Sequence, residues 1–163
     1  MIQRVQSIFL LGVALCLVVM NFLPLWEKLD LVNNEKLTLE TYQLTHEKLN
    51  PTSNEIELVG QTDTYYIMIL GLIAAGIALY SIFRYDNRLT QMKLGALNSL
   101  IIGGTLGVTV YFIFDAEKML LPQMQGNYLP GFYFTAAALF FNALANRFIR
   151  RDERLVRSAD RIR

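Results

Sequence analysis

The stretch "LGALNSLIIGGTLGVTVYFIF", residues 94–114, runs for 21 residues without a charged side chain. About 20 consecutive apolar residues are needed to cross the roughly 30 Å hydrocarbon core of a bilayer. A lone segment in lipid must satisfy its own backbone, so this stretch reads as a transmembrane helix. Its small residues Gly95, Ser99, Gly103 and Gly107 recur every fourth position. Such a stripe lets a neighbouring backbone approach closely, either inside the protein or at a dimer or partner face. Asn98 lies in the same segment, and an amide in hydrocarbon is costly unless it is paired.

Three similar segments lie on either side: "VQSIFLLGVALCLVVMNFLPL" at about 5–25, "YYIMILGLIAAGIALYSIFR" at 65–84 and "YLPGFYFTAAALFFNALANRFI" at 128–149. In the last of these, Asn142 and Asn146 sit one helical turn apart, and antiparallel packing brings them to the depth of Asn98. The expectation is a clasp in which Asn98 bonds Asn142 or a backbone carbonyl. In the second, Gly71 with Ala75 and Ala74 with Ala78 form weaker small-residue stripes. The residues after the first segment offer no small-x-small cleavage site, so it reads as an uncleaved signal-anchor. The one cysteine, Cys16, lies inside that segment and can form no internal disulfide. The 163 residues make one integral domain, 53% of them hydrophobic and 18% charged.

Charge decides orientation. The N-terminus, the 84–93 turn and the 147–163 tail carry eleven basic residues against four acids, a balance of +7. The 27–64 and 115–127 connections carry four lysines against ten acids, a balance of −6. Every arginine is on the first side, including Arg84, Arg88, Arg147, Arg150, Arg151, Arg154, Arg157 and Arg161. The bias of basic residues toward the cytoplasm puts both termini there. The tail "RFIRRDERLVRSADRIR" follows the fourth segment without Pro or Gly, which predicts one continuous helix leaving the membrane. Interspersed acids and missing stacking aromatics argue against nucleic acid. Docking to an inner-face partner or to lipid is expected instead.

The 27–64 connection alternates partly at period two in "KLTLETYQLTH" and "EIELVG", with turn residues "NPTSN" between. The fold expected is therefore all-α: a four-helix transmembrane bundle with a small extracytoplasmic β-hairpin between helices 1 and 2.

No acid, base or histidine lies in the middle of a span, where ion-coupled transport uses such groups. The one histidine, His46, has no cysteine partner for a metal site. No phosphate loop or nucleophile elbow is present. No catalytic residue, cofactor or metal is expected.

The opening "MIQRVQSIFLL" with "LPLW" at 23–26, the turn "RLTQMKLGALNSL" and the ending "RRDERLVRSADRIR" resemble a bacterial family of small four-span inner-membrane proteins known only as a domain of unknown function. The resemblance covers essentially the whole chain and implies an inner-membrane topology, with no activity to carry over. The layout is also similar to that of claudin-type proteins, but their loop disulfide is absent.

The leading expectation is a non-enzymatic accessory, scaffold or assembly subunit of an inner-membrane complex. Its partners would be membrane lipids and a membrane protein or a second copy of itself. The alternative is a lipid- or quinone-binding or transport protein. A lipid- or envelope-modifying enzyme using Glu55, Glu57 or Asp63 comes third.

Overall fold

A computed structural model describes residues 3–50, 56–84, 87–120 and 124–160, with the side chains of Gln3, Arg4, Arg157, Ala159 and Asp160 outside that description. The helices are α1 (Gln3–Met20), α2 (Tyr65–Phe83), α3 (Arg88–Glu117) and α4 (Pro130–Asp160). The strands are β1 (Trp26–Asp30), β2 (Glu35–Leu39), β3 (Gln43–Leu49), β4 (Ile56–Asp63) and β5 (Asn127–Tyr128). Helix α1 packs on α2 and α4, and α3 packs on the same two.

Helix boundaries follow local chemistry. Asn21 donates its side-chain amide to Leu17 O at 2.7 Å, and Pro24 disfavours helical backbone at Leu23. Helix α1 therefore stops at Met20, short of residue 25. The Asn87 side chain accepts the Thr90 N–H at 3.0 Å, an N-cap that starts α3 at Arg88, before residue 94. Pro130 opens α4, where its missing N–H costs no helical bond. Helix α4 then runs 31 residues unbroken through the basic segment.

The all-α expectation is wrong. The chain forms a five-stranded antiparallel sheet in the order β4-β3-β2-β1-β5 beside its four helices. "KLTLETYQLTH" is two strands, because the chain turns at Glu40–Tyr42 and Glu40 N–H bonds Gln43 O at 2.8 Å. Strand β1 begins at Trp26, directly after the linker that leaves α1. Strand β5 comes from the α3–α4 connection and pairs Trp26 with Tyr128 and Glu27 with Asn127. Of the expected turn residues 50–54, all but Asn50 lie outside the described residues, and β3 and β4 pair on either side of them.

Register explains why this sheet is stable where a lone hairpin is marginal. Trp26 opposes Leu39, and Leu39 opposes Leu44. All three are buried, as is Leu37, and they join one core with Leu17, Met20, Ile67, Ala116 and Leu120. Farther from the helices the same face turns polar. Glu35 accepts Lys48 Nζ at 2.9 Å and contacts His46 Nε2 at 3.1 Å. The Lys48 and His46 hydrogen bonds, in that order, hold the Glu35 carboxyl below the usual range. Burial pushes Asp30 up, but hydrogen bonds from the Asn33 side chain and the Asn33 and Val32 N–H groups outweigh it, so its pKa is lowered. Asn34 takes the left-handed conformation at φ 53°, which Asn tolerates, and completes the β1–β2 turn.

Two contacts tie the sheet to the helix ends. Lys28, only 2% exposed, donates Nζ to Glu117 O at 3.0 Å, where a cation suits the last carbonyls of α3. The Glu117 side chain accepts the Gly126 N–H at 3.0 Å, which positions the segment entering β5.

Candidate functional site

Polar side chains gather at the end of the helices opposite the sheet. Asn142 is fully buried and donates Nδ2 to Gly95 O at 3.0 Å and to Ser99 Oγ at 2.7 Å. Asn98, 1% exposed, donates Nδ2 to Asn142 Oδ1 at 3.4 Å. Asn146 lies one turn farther along α4, and its amide occupies the space a Cβ at Gly95 would need. Gly95 and Ser99 thus serve the α3–α4 contact, with the amides of Asn142 and Asn146 packed on a bare patch of α3 backbone.

The other half of the small-residue stripe does something different. A Cβ at Gly103 or Gly107 would find nothing within 4 Å, and the same holds for Gly104. Leu100, Tyr111 and Phe114, exposed at 74%, 68% and 65%, share that outward face. Residues 100, 104, 107, 111 and 114 alternate steps of four and three, a seam spacing for a second helix.

Sequence reasoning missed a second buried polar layer. Gln6 donates Nε2 to Gln91 Oε1 at 3.4 Å, and Gln91 donates to Ser81 O at 2.9 Å. This chain of bonds joins α1, α3 and α2. A span drawn from residue 94 leaves Gln91 outside the membrane helix. The Asn87 cap is the signal that extends it.

The arginines divide into two groups. Arg84 donates Nε to Tyr80 OH at 2.8 Å, and Arg88 pairs with buried Asp152 at 3.2 Å. Asp152 turns inward from α4 to reach Arg88. Arg147, Arg150, Arg151 and Arg154 instead line an open groove of about 1020 Å³ along α4, together with Ser99, Asn146 and Ser158. Among the described residues none of these four arginines is in an ion pair. The Arg157 side chain and Arg161 lie outside the described residues.

Glu57 and Asp63 are exposed on β4, and Glu55 lies outside the described residues. Among the described residues no group of three His, Cys, Asp or Glu side chains could hold a metal.

Three helices, α2, α3 and α4 to Val156, are long and apolar enough to cross a membrane, and the apolar part of α1, Val5–Met20, is shorter. Fold and site together define a small helical membrane protein with a sheet at one end of its helices and a basic groove at the other. The chain belongs to the family described as "Domain of unknown function (DUF4293)", whose model matches residues 2–162. No curated protein matches it.

Proposed function

We propose that the protein is a non-enzymatic accessory or assembly subunit of a bacterial inner-membrane complex, crossing the membrane four times with both termini in the cytoplasm. The observation that carries this reading is the outward face of α3. Gly103, Gly104 and Gly107 leave backbone bare, and Tyr111 and Phe114 stand exposed farther along. Close backbone approach is a main source of helix association in lipid. The sheet, tied through Lys28 and Glu117, gives a partner a second surface outside the bilayer.

For the fourth crossing, the 18 residues of α1 give a helix of about 27 Å, near the roughly 30 Å hydrocarbon core. The small mismatch is of the kind a bilayer takes up by thinning. All described arginines lie at the end opposite the sheet, which supports a cytoplasmic assignment for that end. Asn98 and Asn142 are buried and bonded to each other, so this pair of amides gives the quinone-binding alternative no support.

Extraction in mild detergent, followed by crosslinking and mass measurement, tests the reading. Discrete species heavier than the 18.6 kDa chain are expected. A dispersed monomer at every detergent concentration would contradict it.

A further inference from the structure

The four groove arginines exceed what stopping a span requires. Residues 147, 150, 151 and 154 step by three, one and three, so they share one side of α4. Their ends are seven residues, or about 10 Å, apart. Arg147 with Arg151 and Arg150 with Arg154 are like-charge i,i+4 pairs, which destabilise a helix. Arg88 on α3 is engaged by Asp152, which faces the helix packing. Asp152 therefore does not neutralise the groove. Past Asp152, α4 continues about two turns beyond the start of α3, so the groove has an α3 wall at its deep end and open space at the other. Ser99 and Asn146 also line the groove, as does Ser158, with the two hydroxyls donating to Gly95 O and Leu155 O and keeping their oxygens as acceptors.

We propose that this groove is a binding site for the phosphate of an anionic phospholipid head group, with the arginines holding the phosphate oxygens and Ser99, Asn146 and Ser158 facing the polar remainder. Guanidinium forks bind phosphate through paired, charge-assisted hydrogen bonds. A site at the membrane boundary meets head groups at high local concentration, and each cation there is attracted to anionic lipid. The proposal rests on the membrane embedding of the helices and is independent of any protein partner.

The test uses the full chain in a neutral detergent, titrated with dioleoylphosphatidylglycerol, dioleoylphosphatidylcholine or inorganic phosphate. Native mass spectrometry counts bound lipid. Phosphatidylglycerol should bind saturably, one per chain, at least about tenfold tighter than phosphatidylcholine, as expected for charge-assisted contacts. Changing all four arginines to Gln should abolish the preference, and Arg84→Gln should leave it intact. Changing the four to Lys keeps charge and orientation but loses the fork, and should weaken binding several-fold. This second variant carries the test if the Gln variant fails to insert. Unsaturable binding, equal weakening by Arg84→Gln, or full affinity in the Lys variant would overturn the proposal. Displacement by inorganic phosphate at matching affinity would overturn the lipid as the source of the phosphate.

Discussion

Asn142 and Asn98 are partners in one clasp, yet their removal should have unequal consequences. Asn142 makes two short bonds, to Gly95 O and Ser99 Oγ. Side-chain hydrogen bonds between membrane helices average about 0.6 kcal/mol, so these supply about 1.2 kcal/mol. Asn142→Leu also strands the buried Asn98 amide, bringing the expected loss to about 1–2 kcal/mol. Asn98 makes one bond, at 3.4 Å, longer than the usual 2.7–3.2 Å range. Its Oδ1 is buried without a partner. Asn98→Leu removes that unsatisfied carbonyl while leaving Asn142 Oδ1 without its donor. Each such group costs about 1–3 kcal/mol, so the two nearly cancel and the change should fall within about 0.5 kcal/mol of zero. In an Asn142→Leu background, Asn98→Leu should become stabilising. Unfolding of each variant in mixed micelles, followed by the fluorescence of the one tryptophan, buried Trp26, measures all three values. Asn98→Leu costing as much as Asn142→Leu, with additive losses in the double variant, would refute the reasoning.

Other outcomes follow from the same contacts. A Cβ at Gly131 would lie 2.7 Å from Pro24 O and 2.8 Å from Leu23 O, both rigid backbone. Gly131→Ala should therefore cost about 1–3 kcal/mol by thermal unfolding, whereas Gly103→Ala should stay within about 0.5 kcal/mol. Arg88→Met leaves Asp152 largely shielded and unpaired. It should destabilise by about 1–3 kcal/mol, less than the penalty at a fully buried site, and adding Asp152→Leu should restore most of the loss. The lowered pKa of Glu35 stabilises the sheet at pH above the ordinary glutamate value of about 4.3, and this contribution is lost as pH falls through the folded-state pKa. Trp26 fluorescence during an acid titration should show an unfolding limb that Glu35→Gln makes shallower.

The helical half of the molecule was legible because apolar stretches of bilayer length leave a strong local signal. The Asn98, Asn142 and Asn146 grouping was legible for a related reason: polar residues in an apolar run stand out, and antiparallel packing fixes their depth. The sheet was not legible in full. The role of Trp26 as the first residue of β1 emerges only from pairing with Leu39 and Tyr128. Strand β5 has two residues and no periodicity of its own. The turn at Glu40–Tyr42 lacks Gly and Pro, so two strands read as one. The split of the glycine stripe was hidden too. Gly95 and Ser99 face α4 while Gly103 and Gly107 face away, and a stripe with period four cannot show where its helix loses a neighbour.

The outward face of α3 is the centre of the functional account, and position-specific crosslinking in native membranes tests it most directly. In a Cys16→Ser background, cysteines at Gly103, Gly107 and Tyr111 would be compared with one at Leu72, exposed on α2. Discrete crosslinked species are expected from the three α3 positions, with a far weaker yield from Leu72. Equal yields at all four positions, or monomer throughout, would contradict it.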